Sequence, residues 1–320
     1  MSRIANAFGT VGQSGDGVGR QGTVPCLLKE SYEQKATSSR QGTVPCLPHE
    51  RVKVHVPLTP SVPLTPVPLT PRKAFIAFVT GGDPSLERSE EYILALIEGG
   101  ADLIEIGIPF SDPIAEGPVI QEANLRALAA GTTVDGIFEL VRSLRRRRGV
   151  EVPIVLLTYL NPVHYYGYEA FFATCAEVGV DGIIIPDLPY DEKGELASVA
   201  AANDVDVISL IAPTSAERIT RIAAEATGYI YLVSSLGVTG VRSEITTDLG
   251  ALVALIRKAT DTPVAVGFGI HSPEQARAIA QVADGAIVGS AIVRMIAADP
   301  DGAAPTLTAY AREMKAALEG

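Results

Sequence analysis

Residues Ala101–Pro118 read ADLIEIGIPFSDPIAEGP. The opening part is an apolar run, Leu103, Ile104, Ile106 and Ile108, of the kind that builds a strand covered on both faces. Glu105 interrupts it. An ionised carboxylate buried without a partner costs several kcal/mol or takes up a proton. Either this strand is an exposed edge or the carboxylate is put to use, and the neighbouring sequence decides between them.

From Lys73 onward the same kind of run recurs, as AFIAFVT (74–80), PIVLLTYL (153–160), GIIIPD (182–187), DVISLIAP (206–213), YIYLVS (229–234), PVAVGFG (263–269) and GAIVGS (285–290). Amphipathic stretches separate the runs, among them SPEQARAIAQVA, which opens on Ser272 as an N-cap with Pro273 in the first turn. Apolar strands joined by helices imply a parallel sheet buried on both faces. Eight such units in about 250 residues is the count and size of a (β/α)8 barrel. An open, doubly wound sheet is the alternative, and it rarely needs eight regular repeats. A closed barrel has no edge, so Glu105 points into the barrel or into the helix layer. It sits toward the C-terminal end of its strand, the end at which such barrels carry their chemistry.

The first 71 residues follow other rules. RQGTVPCL occurs at 20–27 and again at 40–47, and PLTP starts at Pro57, Pro63 and Pro68. Prolines at that density block helix and central strand alike. This part carries a net charge of +3 against −14 for the remainder. We expect residues 1–8 to begin an N-terminal helix, 9–71 to be a disordered, low-complexity insertion, and 72–320 to be the barrel. Cys26 and Cys46 are duplicated with their repeat, and Cys175 and Met295 read as packing residues.

The net charge of −11 argues against nucleic acid as the main partner, and the chain lacks an apolar run long enough for a membrane span. Three cysteines without metal-like spacing, and no leader-like N-terminus, suggest a reducing, cytoplasmic setting without disulfides or metal.

Two constellations carry chemistry. Glu105 in the strand and Glu116 in the loop after it form an acid pair in unlike settings. An apolar setting raises the pKa of Glu105, while Glu116, nearer solvent, stays ionised. Asp112 beside Pro113 also reads as a turn former. The second constellation is a set of glycine-rich strand ends, SSLGVTG, GFGIHS and GAIVGSAIV. Gly240, Gly269, Gly289 and Ser290 there can hold a phosphate on backbone N–H groups, without a lysine or arginine. His271 follows one such end and reads as a solvated loop residue. RSLRRRRGV (142–150) reads as a solvated basic helix end that complements the helix dipole. Phosphate-loop, serine-hydrolase and zinc-protease motifs are absent, and no barrel lysine ends a strand.

Taken together, AFIAFVTGGDPS, LIEIGIPFSDPIAEGPVIQ, GIIIPDLP, GVTG, GFGI and GAIVGSAIV, in order from about Lys73 to the end, resemble the tryptophan synthase alpha chain family. MSRIANAF resembles that family's N-terminal helix. The resemblance implies a lyase of tryptophan biosynthesis that cleaves indole-3-glycerol phosphate to indole and glyceraldehyde 3-phosphate by a retro-aldol reaction, without a cofactor. It implies that Glu105 is the catalytic glutamate and that Glu116 is the second acid, which is aspartate in the best-known members. Tyr231, Thr239, Phe78, Leu157 and Phe268 match residues around the substrate, and Ser235 stands where some members have arginine. The family pairs with a beta chain carrying pyridoxal phosphate, as α2β2, and Pro109, Asp112 and Asn161 match contact positions for it. The alternatives are a catalytically weak alpha-like subunit acting mainly as allosteric activator of the beta chain, and a stand-alone lyase releasing free indole.

Overall fold

The computed structural model describes residues 2–9, 72–234, 248–267 and 269–320. Of the expected insertion 9–71, residues 10–71 lie outside the described residues, as do 235–247 and Phe268. The elements run α1 (Arg3–Ala7), β1 (Ala74–Thr80), α2 (Leu86–Glu98), β2 (Leu103–Gly107), α3 (Pro118–Ala129), α4 (Val134–Arg146), β3 (Ile154–Leu157), α5 (Leu160–Tyr166), α6 (Tyr168–Val178), β4 (Gly182–Ile184), α7 (Gly194–Ala202), β5 (Asp206–Val207), β6 (Ser209–Ile211), α8 (Ala216–Ala224), β7 (Ile230–Val233), α9 (Leu249–Ile256), β8 (Val264–Gly267), α10 (Pro273–Ala280), β9 (Gly285–Val288), α11 (Ser290–Ala298) and α12 (Ala304–Glu319).

The strands are parallel and hydrogen-bonded in the order β5-β4-β3-β2-β1-β9-β8-β7-β6. The expected barrel is present, with one amendment. The run 206–213 is not one strand but two: β5 pairs with β4, and β6 pairs with β7. Ile208, between them, still donates its N–H to the Ile183 carbonyl at 2.9 Å. One stave bends to serve two neighbours, so eight expected runs appear as nine strands.

Strand parity decides what faces where. Phe75, Ala77 and Val79 of β1, Ile104 and Ile106 of β2, and Ile230 and Leu232 of β7 join the large cluster between sheet and helices. Ala74, Ile76, Leu103, Tyr229 and Tyr231 join a separate cluster inside the barrel. With a period of two, Glu105 shares the inward face with Leu103. The carboxylate therefore points into the barrel.

The N-terminal end of the barrel is closed by α1. This helix is too short to be stable alone. Ser2 caps it by accepting the Ala5 N–H at 3.2 Å. Arg3 Nη1 pairs with Asp181 Oδ1 at 3.0 Å, and Asp181 Oδ2 also takes Arg145 Nη2 at 2.6 Å and the Ile154 N–H at 2.8 Å. Ile4, Ala7 and Phe8 are buried in the inner cluster. Burying Ile4 and Phe8 stabilises by roughly 1.5–3 kcal/mol each. A glycine leaves Phe8 room: a Cβ on Gly285 would lie 3.2 Å from Phe8 Cε1.

Two helix-end expectations can be compared directly. Ser272 does cap α10, as half of a capping box with Gln275. The basic run at the end of α4 is not wholly solvated. Arg145 is half-buried, donating to the Val150, Val152 and Gly179 carbonyls as well as to Asp181. Arg148 reaches back to Glu90. Cys175 is buried in the outer cluster, as expected of a packing residue.

Candidate active site

A largely apolar cavity opens at the C-terminal end of the barrel. Its walls include Glu105, Glu116, Phe78, Leu157, Tyr231, Gly269, Gly289 and Ser290, all singled out from sequence. Thr239, Gly240, Phe268 and Ser235 lie outside the described residues.

Glu105 is 1 % exposed. Its Oε1 accepts a hydrogen bond from Tyr229 Oη at 2.6 Å. Burial pushes its carboxyl from the ordinary 4.5 up to about 7, and the tyrosine bond offsets only part of that. Near neutral pH the group therefore both gives and takes a proton.

Glu116 differs from expectation. The loop folds it inward, leaving it 5 % exposed rather than near solvent. Burial raises its pKa as well, against the hydrogen bond it accepts from Tyr159 Oη. The Tyr159 oxygen in turn accepts the Ala115 N–H at 2.9 Å, and Gln121 Nε2 holds the Glu116 carbonyl at 2.8 Å. Tyrosine, backbone and glutamine together fix the start of α3 and the acid that precedes it.

Small residues make space for the large ones. A Cβ on Gly107 would sit 2.8 Å from Phe78 Cζ, and one on Gly267 would sit 2.3 Å from Tyr231 Oη. Real Cβ contacts do not approach so closely, so these two glycines let the Phe78 and Tyr231 rings lie against their neighbouring strands.

Part of the cavity lining is backbone-rich. Gly289 caps α11, and Ser290 is its first residue. The first N–H groups of a helix have no intrahelical acceptor, and they point at whatever lies beyond the end. Gly269 adopts φ +86°, a left-handed conformation that favours glycine. His271 is half-buried, not a solvated loop residue. Its Nδ1 lies 2.9 Å from the Gly269 carbonyl, and its own carbonyl accepts Tyr310 Oη at 2.9 Å.

Sequence reading missed Tyr159 and Tyr229, the partners of the two acids. The signal for Tyr229 was available: it is two residues from Tyr231 on one strand and so shares its face. Tyr159 carried no such mark. Of the contact positions, Asp112 and Asn161 are exposed, whereas Pro109 is buried within the chain. Among the described residues no group of three His, Cys, Asp or Glu is placed to hold a metal ion, and no helix is long and apolar enough to cross a membrane.

The family model described as tryptophan synthase alpha chain matches residues 68–319. A tryptophan synthase alpha chain of Lactiplantibacillus plantarum is 53 % identical over 249 residues, 78 % of this chain and 93 % of that protein. One of Lacticaseibacillus casei is 47 % identical over 247 residues, 77 % of this chain and 92 % of that protein. Among solved structures, Mycobacterium tuberculosis tryptophan synthase superposes with a TM-score of 0.71 at 36 % identity, covering 78 % of this chain and 93 % of that one. The tryptophan synthase complex of Pyrococcus furiosus gives 0.70 at 36 % identity, covering 76 % and 98 %.

Proposed function

The chain belongs to the tryptophan synthase alpha chain family, the lyase that cleaves indole-3-glycerol phosphate in tryptophan biosynthesis, and we propose that Glu105 and Glu116 carry that cleavage. The observation that supports this reading best is the joint presence of both carboxylates in one largely apolar cavity whose lining includes the N-terminal end of α11. An acid pair serves the indole end of the substrate, and the helix end serves the phosphate.

Protonated Glu105 delivers its proton to carbon 3 of the indole ring. The ring becomes a cation, which Glu116 stabilises by accepting the ring N–H. The bond from carbon 3 to the side-chain carbon then breaks, and its electrons restore the aromatic ring. The hydroxyl on that carbon becomes the aldehyde and returns its proton to Glu105. Protons balance, and Glu105 ends as it began. Phe78, Leu157 and Tyr231 sandwich the ring, with Phe268 and Thr239 assigned beside them. Gly240, Gly269, Gly289 and Ser290 receive the phosphate on N–H groups and a hydroxyl, which suits an acidic chain.

Glutamate at 116, where the best-known members carry aspartate, is longer by one methylene. The inward fold of its loop and the Tyr159 bond support a position adjusted to that length. The chemistry needs only side chains of this protein, and pyridoxal phosphate belongs to the beta chain. A beta chain is the family's partner, and we assign an α2β2 assembly in the cytoplasm. Exposed Asp112 and Asn161 lie in the same segments as the exposed apolar side chains Ile114 and Tyr165, which supports that rim as the docking face.

The test is indole release from indole-3-glycerol phosphate by the wild type, Glu116→Asp and Glu116→Gln, each with beta chain added. The expected result is a loss of about tenfold to a hundredfold for the shorter acid and a larger loss for glutamine. Equal rates in all three would remove Glu116 from the reaction.

A further inference from the structure

The amino-terminal helix reaches the catalytic carboxylate from below. Phe8 is 2 % exposed, and its ring centroid lies 5.8 Å from that of Tyr229. Tyr229 is fully buried, and its hydroxyl donates to Glu105 Oε1 at 2.6 Å. Ile4 and Ala7 complete the same inner cluster as Tyr229 and Tyr231. This helix lies outside residues 68–319, the stretch matched to the family model. In sequence it is separated from β1 by residues 10–71.

We propose that α1 with Phe8 is a positioning element of the active site, which seals the barrel floor against water and holds the Tyr229 hydroxyl on Glu105. The proposal rests on the reading of Glu105 as the catalytic acid. Physically, the seal acts in two ways. A dry floor keeps the carboxyl protonated near neutral pH, because charge is disfavoured where water is excluded. A packed Tyr229 ring fixes which oxygen of Glu105 is tied below, leaving the other toward the cavity. The ionisable groups that bear on Glu105 are Tyr229, just before β7, and Tyr231 within it; Glu116 lines the same cavity, and α1 adds none. Its one charged side chain, Arg3, is engaged with Asp181 and Glu151. The helix thus acts on Glu105 by excluding water and by packing, without a charge of its own.

Phe8→Ala opens the floor, and Phe8→Leu keeps it apolar. Arg3→Ala loosens the helix without cutting a hole in the core. Two readouts are taken on the full chain. One is the pH dependence of kcat/KM for indole-3-glycerol phosphate with beta chain present. The other is the carbon-13 titration of the glutamate carboxyl signal that disappears in Glu105→Gln. In Phe8→Ala the Glu105 titration moves down by about one pH unit, and kcat at pH 7.5 falls about tenfold with KM within about twofold of wild type. Phe8→Leu restores most of both, and Arg3→Ala shifts the titration the same way by less. A lowered melting temperature with an unmoved titration in Phe8→Ala and Arg3→Ala would overturn the proposal and leave α1 a purely structural plug. The carboxyl titration does not depend on turnover. If the chain released no indole at all, the lyase reading would fall while the NMR arm still decided whether α1 controls Glu105.

Discussion

Glu105→Gln separates what the carboxyl costs the fold from what it does in the reaction. The side chain sits inside the barrel with its pKa raised from 4.5 to about 7. At 1.36 kcal/mol per pH unit, that difference corresponds to about 3 kcal/mol of destabilisation once the group is ionised. The sign follows from proton counting. Between pH 4.5 and 7 the folded chain holds the proton while the unfolded chain has released it. Folded stability therefore falls as pH rises through that window, and the whole cost is present above it. Glutamine has the same shape, carries no charge, and still accepts from the Tyr229 hydroxyl. At pH 8 the variant should be more stable than wild type by about 3 kcal/mol, or roughly 6–12 °C in melting temperature for a barrel of this size. At pH 4 the two should melt together. The chain has no tryptophan, so far-UV circular dichroism is the suitable probe. A stability difference that does not change between pH 4 and pH 8 would refute a strained, buried acid at 105, whatever happened to activity.

Three further outcomes follow from the same geometry. Tyr159→Phe removes the hydroxyl that Glu116 and the Ala115 N–H share, and kcat should fall about tenfold to a hundredfold with KM changed less; unchanged steady-state kinetics would show that the tyrosine does not hold the acid. Gly267→Ala drives a methyl to 2.3 Å from Tyr231 Oη, so the variant should lose about 1–3 kcal/mol of stability together with substrate affinity, read from a melt and a titration with glycerol 3-phosphate. Joining Gly9 to Arg72 with residues 10–71 removed should leave the melting temperature within about 2 °C of wild type, because Phe8 packs against Gly285, the register partner of Ala74 at the start of β1; a much larger fall would show that the excised residues carry stability.

The barrel was legible because its signal is local. Each apolar run and each amphipathic stretch can be read within about a dozen residues, and Glu105 stood out because a charge in such a run needs a reason. The split of 206–213 into two strands was not legible. Nothing in DVISLIAP breaks a strand, and the bend comes from serving neighbours on two sides. The burial of Glu116 depends on a loop closing onto Tyr159, forty-three residues away in sequence. That contact is non-local, and a loop acid looks solvated until the loop is folded. Arg145 was hidden by company: within a basic run it resembles its solvated neighbours, and only Asp181 and three carbonyls single it out. The link from Phe8 through Tyr229 to Glu105 joins the two ends of the problem, since it needs the barrel closed before the floor exists.

Everything proposed for this site turns on Glu105 as the proton donor and acceptor in cleavage of indole-3-glycerol phosphate. The most direct measurement is the rate of indole formation by wild type and Glu105→Gln with beta chain present, alongside binding of glycerol 3-phosphate to each. The variant should bind the phosphate as wild type does and lose cleavage by about a thousandfold or more. Cleavage by Glu105→Gln within about tenfold of wild type would contradict it.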